Sequence, residues 1–380
     1  MIVDLIGFGI VMPVLPFLVK EQGASATELG VIAMGYAAAQ FLCAPLWGRL
    51  SDRVGRRPVM LATIAGTAAS LAALGFATSL PWILAARVAA GAFAANLGVA
   101  SAYIADVTDE AERTRWMGLL GASFGVGFVI GPAIGSLLGP YGHHVPMFAA
   151  AGLAVANWLH ALVSLREPPA RAVTAGAVRA GRLGVLRDPA VRRLCAANLV
   201  FALAVTQLET IFQYFMNDRF GWEVREVGFL LVGMAVVMGG VQGGAMKALS
   251  ARFPERSLFA GGSALLAAAF FALPAMPGVG LLALALAGAA IGRGVAQPAL
   301  MSLASLAAPA GERGAVMGAF QSAASLARVI GPLAAGLLYD RTLAGPFLLA
   351  GALLLGVVWM GRRLPAREPE AGPVAEPRLV

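Results

Sequence analysis

The chain has 380 residues, 59% of them hydrophobic and only 13% charged, with a formal net charge of +8. A soluble domain covers its surface with about 25% charged residues, so this composition excludes an ordinary water-soluble globule and points to a lipid-embedded chain. The positive charge does not indicate nucleic acid, because the basic residues sit in short loops between apolar runs rather than on one polar face.

A helix needs about 20 apolar residues to span a bilayer. Six such runs come first, at roughly 1–19, 28–47, 58–77, 82–105, 116–139 and 146–165. Six more follow, at roughly 194–216, 227–246, 258–275, 279–306, 315–339 and 346–360. None shows the alternating polarity of a β-barrel strand. The expected fold is therefore an all-α membrane protein with twelve transmembrane helices. The first run is odd: residues 5–19 measure only about 22 Å at 1.5 Å each, so a start further upstream is expected, which would put Asp4 inside the membrane. If the start is genuine, Asp4 is an interfacial anchor. No small-residue cleavage site follows this run, so a cleavable signal peptide is not expected.

The loop at 48–61, GRLSDRVGRRPVML, carries Asp52 with Arg49, Arg53, Arg56 and Arg57. Of the 28 lysines and arginines, only Lys20, Arg219, Arg225 and Arg341 fall on the far side, and Arg87, Arg293 and Arg328 fall within spans. That asymmetry places both termini in the cytoplasm. Residues 166–193, rich in Arg, Ala, Gly and Pro, read as a linker between halves 1–165 and 194–361, and residues 362–380 as a polar tail. The halves repeat: Glu112-Arg113, Met117-Gly118 and Val129-Ile130-Gly131-Pro132 recur 200 residues later at Glu312-Arg313, Met317-Gly318 and Val329-Ile330-Gly331-Pro332. The copies are six helices apart and so run in the same direction, which makes the two six-helix halves related by a pseudo-two-fold along the membrane normal, and a binding site belongs between them.

These residues resemble the major facilitator superfamily. The 48–61 loop resembles its motif A, Arg87-Val88-Ala89-Ala90-Gly91 its motif B, and the stretch from Gly127 through Gly131, Pro132 and Gly135 its antiporter motif C. Within it, Asp4 to Gly9, Gln40, Ala44-Pro45, Tyr103 to Asp106 and Arg219 to Trp222 resemble the twelve-helix drug:proton antiporters, tetracycline-efflux proteins among them. Ser136 departs from motif C, and Ser70 stands where some tetracycline pumps carry an acid.

The resemblance implies a conformational latch in the loop. Asp52 would approach the N-terminus of the eleventh helix, Arg56 would pair with Asp106, and both contacts would hold the cytoplasmic side closed. Arg53 and Arg57 join them or only obey the positive-inside rule. Gly48 and Gly55 would permit a tight turn and close approach. Gly127, Gly131 and Gly135 line one face of the fifth helix, bent at Pro132, as a surface that could rock on a neighbour.

Asp4, Arg87, Glu209, Arg293 and Arg328 are ionisable residues within apolar spans and hence functional candidates. Asp4 or Glu209 could carry the coupled proton, and the motif B resemblance implies that Arg87 sits in the cavity and acts on a nearby carboxyl. Glu209 could instead pair with a structural arginine, and Arg293 and Arg328 could line the cavity or pair. Gln40, Asn96, Gln207, Gln213, Gln297 and Gln321 could contact substrate or join helices. Phe201, Phe212, Tyr214 and Phe215 could stack on a planar drug but read better as packing, His143 and His144 read as solvated, and no metal-ligand pattern is present.

The expected function is a monomeric secondary transporter of a bacterial-type inner membrane, not an enzyme. It would exchange protons for an amphipathic, cationic, drug-like compound. The alternative is a proton-coupled exporter of an endogenous metabolite or sugar. No cofactor is implied; the proton gradient supplies energy, and Mg²⁺ would enter only as part of a drug chelate.

Overall fold

The structure is a computed structural model. It describes residues 1–168, 184–309 and 312–361. Most of the expected linker, 169–183, and the expected tail, 362–380, lie outside them.

The described residues form twelve membrane helices. The first half has α1 (Ile2–Glu21), α2 (Ala26–Val54), α3 (Arg56–Gly75), α4 (Leu80–Val107), α5 (Glu110–Leu138) and α6 (His144–Ser164). The second has α7 (Pro189–Phe220), α8 (Val224–Arg252), α9 (Glu255–Ala272), α10 (Val279–Leu306), α11 (Arg313–Arg341) and α12 (Gly345–Gly361). All but α12 are long and apolar enough to cross a membrane by the usual measure. Its 17 residues make about 26 Å of helix, just short of a hydrocarbon core of about 30 Å.

Local chemistry sets the ends. Ser25 and Glu28 form a capping box at α2. Asp188 accepts from Ala190 N at 2.7 Å and Pro189 opens α7, so that helix starts at Pro189 rather than near 194. Two spans are irregular. α4 is interrupted at Ala94-Ala95, between Leu80–Phe93 and Asn96–Val107. α8 carries a π-helical turn over Val241–Ala245.

Within the first half α1 packs on α5, α2 on α4, and α3 on α6; within the second α7 packs on α11 and α12, and α9 on α10 and α12. The halves meet through α2–α11, α5–α8 and α1–α7. Every described inter-half contact with a named atom lies toward one face. A Cβ added at Gly30 would sit 3.1 Å from Leu333 Cα, and one at Gly336 would sit 2.7 Å from Thr27 Cα. Gly139 abuts Val224, and Gly228 abuts Ser136.

Toward the arginine-rich face the same helices stand apart. Nothing lies within 4 Å of a Cβ built at Gly48, Gly121, Gly240, Gly244 or Gly314, and Leu42, Leu46 and Leu50 of α2 are exposed. The halves thus enclose a cleft open to the arginine-rich face and shut at the opposite one.

Candidate functional site

At mid-depth the structure sorts the candidates into separate groups. Arg87 on α4 is buried, 7% exposed, and its guanidinium lies over the ring of Tyr36 on α2, 4.1 Å from the centroid. Its Nε has no hydrogen-bond partner among the described residues. The expected carboxyl beside Arg87 is thus replaced by an aromatic face. Such a contact contributes about 0.5–2 kcal/mol, against several kcal/mol for taking an ion out of water. Arg328 on α11 is exposed, makes no described ion pair, and its charge reaches the same Tyr36.

Glu209 and Arg293 form an ion pair between α7 and α10 at 2.7 Å, each side chain 32% exposed. Gln297 Oε1 lies one helical turn on, 3.5 Å from Arg293 Nε. Gln321 is exposed on α11. Asp4 faces away from this group: its carboxylate accepts from Asn157 Nδ2 on α6 at 2.9 Å. The other polar candidates join helices. Gln40 Nε2 donates to Ala94 O at 3.1 Å and, with Trp47 Nε1 on Ala92 O at 2.6 Å, holds the carbonyls at the break in α4. Asn96 is buried at that break. Gln207 donates to Gly331 O and Gln213 to Met12 O, both at 3.2 Å. Phe201, Phe212, Tyr214 and Phe215 are buried core.

The loop cluster forms the expected Arg56–Asp106 pair but not the expected approach of Asp52 to α11. Arg56 Nε donates to Asp106 at 2.9 Å and its Nη1 lies 2.7 Å from Asp52. Both contacts stay inside the first half, and Asp52 is half exposed with Arg56, not α11, as its ion-pair partner. The reason is the open cleft, which also leaves Gly48 with no close neighbour. Gly55 adopts φ +102, the left-handed region, and lets the chain reverse between α2 and α3. Arg57 does more than set orientation: it donates to Leu165 O and Leu162 O at the end of α6. Arg53 is exposed. The sequence reading missed Glu167, whose two oxygens accept from Arg56 N and Arg57 N at 2.6 and 2.9 Å and cap α3. Glu167→Ala is expected to cost about 1–2 kcal/mol of stability, measurable as a lower melting temperature in detergent.

Motif C makes the expected close approach, and its neighbour is α1. Gly127, Gly131 and Gly135 all face α1, at Leu5, Gly9 and Ile10. They join two helices of one half. The inter-half contact of α5 is made instead by Ser136, the residue that departs from the motif; its hydroxyl donates to Pro132 O at 2.5 Å.

The shut face is built from residues that the sequence did not single out. Asp340 at the end of α11 caps the N-terminus of α2, accepting from Ala26 N at 3.0 Å, Thr27 N at 2.9 Å and the Thr27 hydroxyl at 2.5 Å. Lys20 of α1 pairs with Asp218 of α7 and donates to Asn217 at 2.6 Å, and Tyr339 donates to Asp218 at 2.7 Å. His143, expected to be solvated, lies 2.7 Å from Glu21 and stacks on Phe17.

A model of the Major Facilitator Superfamily matches residues 1–332 and 194–379. The chain belongs to that superfamily. Among its superfamily relatives, the class D tetracycline resistance protein of Salmonella ordonez is 32% identical over 374 residues, covering 94% of this chain and 93% of that protein. The class C protein of Escherichia coli is 36% identical over 273 residues, covering 69% and 68%. The crystal structure of the human organic anion transporter MFSD10 superposes with a TM-score of 0.69 at 26% identity, covering 95% of this chain and 96% of that one. The superfamily consists of membrane transporters for small molecules, so this chain is an integral membrane transport protein.

Proposed function

We propose that the protein exports an amphipathic, drug-like small molecule in exchange for protons, by alternating access. The observation that carries this reading is the cleft: open on one face, bolted between the halves on the other, and furnished at mid-depth with ionisable side chains that are costly in a membrane. The tetracycline resistance relatives support a drug-like cargo. In this reading the arginine-rich face is cytoplasmic, with both termini there, in the inner membrane of a bacterial-type cell. Residues 166–188 link the halves, 362–380 form a tail, and a monomer suffices. No cofactor is needed; Mg²⁺ would arrive only with a chelating drug.

Glu209, exposed to the cleft beside Arg293, and Asp4, beside Asn157, are the proton carriers. The test is purified protein in liposomes with an imposed pH gradient and an internal pH dye, challenged with tetracycline–Mg²⁺ and lipophilic drugs. The expected result is substrate-evoked proton movement, lost in the Asp4→Asn, Glu209→Gln double variant. Unimpaired antiport in that variant refutes the assignment of the carriers. Silence toward every drug in folded protein would point to an endogenous metabolite or sugar.

A further inference from the structure

We propose that the ligand of the cleft carries an acidic group, and that Arg87 and Arg328 bind it. The proposal rests on the export reading above and names its substrate class. It reverses the sign expected from the sequence alone.

The argument is charge balance at mid-depth. Among the described residues, Glu209 is the carboxylate at this level facing the cleft, and Arg293 already holds it at 2.7 Å. Asp4 is turned toward Asn157 on α6. Arg87 and Arg328 therefore stand without a carboxylate, one from each half: Arg87 lies over the Tyr36 ring, and Arg328 is near enough for its charge to act on Tyr36. Arg87 is more than nine-tenths buried and its Nε is unpartnered. The Tyr36 face softens that charge and does not neutralise it.

A carboxylate, sulfonate or enolate would bring a full negative charge and acceptor oxygens that fit the guanidinium fork. The same Tyr36 ring would flank the aromatic part of the ligand. A cation would instead add a further positive charge beside the buried Arg87, where screening is weakest.

The energetics have a distinct signature. An anion leaving a cell with a negative interior moves down the electrical gradient. A proton entering in exchange moves the same way, so the cycle carries net positive charge inward. Exchange of a singly charged cation for one proton carries none.

The experiment uses two dyes with the same xanthene ring and opposite charge, anionic fluorescein and cationic rhodamine 6G. Their anisotropy is followed with the full-length protein in detergent. Fluorescein is expected to bind at least about tenfold more tightly, and Arg87→Gln and Arg328→Gln each to weaken it by about tenfold. Should Arg87→Gln not fold, the exposed Arg328→Gln and the charge-keeping Arg87→Lys, expected to bind better than a neutral variant, carry the test. Tighter binding of rhodamine 6G, binding of neither dye, or fluorescein binding indifferent to both arginines overturns the proposal.

In liposomes an inside-negative potential is expected to accelerate fluorescein efflux. Proton movement evoked by rhodamine 6G but not fluorescein would overturn the acidic-ligand proposal while leaving the exporter reading intact. Fluorescein held by the two arginines but moving no proton would support the ligand class and remove the proton coupling.

Discussion

Gly131→Val is expected to lower the melting temperature by roughly 4 °C, on the basis of an overpacking cost of about 3 kcal/mol. A Cβ at this position would lie 2.5 Å from Gly9 Cα and 2.7 Å from Ile6 O. Both are backbone atoms of α1, so no side chain can rotate away. The contact is reciprocal, since a Cβ on Gly9 would lie 2.6 Å from Gly127 O. The two helices would have to separate along much of their length, giving up close van der Waals packing, which is a principal attraction between helices in lipid. Gly152→Val on α6, where nothing lies within 4 Å, is the matched control. Fluorescence-monitored thermal unfolding in detergent decides it: a Gly131→Val protein that melts with the control would mean that α1 and α5 are not welded.

The second large effect is conformational. Asp340→Ala combined with Lys20→Ala is expected to raise access to the inter-half interface from the shut face by about tenfold or more, within the range usual for coupling between two global states. Asp340 supplies acceptors to two backbone N–H groups and a hydroxyl of α2, and negative charge at a helix N-terminus is favoured. Lys20 ties α1 to Asp218. Without them the inter-half contacts left at this face are mainly apolar. The probe is a cysteine in place of Gln213, which is 2% exposed and bonded across to Met12. The native Cys43 and Cys195 are replaced first. Labelling by a membrane-impermeant maleimide should accelerate in the latch variant. An unchanged rate would show that the shut state is held by packing alone.

The sequence carried the fold because hydropathy and an internal repeat are chain-long signals. Twelve apolar runs, a 200-residue offset and the arginine-rich loop needed no partner to be seen. The motif A ion pair of Arg56 and Asp106 was legible for the same reason: both residues belong to a recurring pattern. What was not legible is non-local. Asp340 meets Ala26 across 314 positions, and nothing about a lone aspartate at a helix end announces which N-terminus it caps. Asn157 and Tyr36 are single polar or aromatic residues in apolar helices, a pattern that fits packing as well as function. The direction in which Gly127, Gly131 and Gly135 point depends on which helix lies opposite, and that is settled by tertiary packing. Asp52 differs for another reason: its expected partner, the start of α11, lies across the open cleft, and Arg56 takes its place.

Helix α2 is pinned near one end and loaded near the other. Its Gly30 sits in the crossing with α11, while Gln40 and Trp47 grip the break in α4. From residue 30 to residue 48 is about 27 Å of helix, so a tilt of about 10° at the crossing would swing the far end by about 5 Å. A fulcrum so far off centre makes α2 a lever with mechanical gain. A small rearrangement around Asp340 would become a large one at the arginine-rich mouth, and α4, clasped at its break, would travel with α2 and carry Arg87 along.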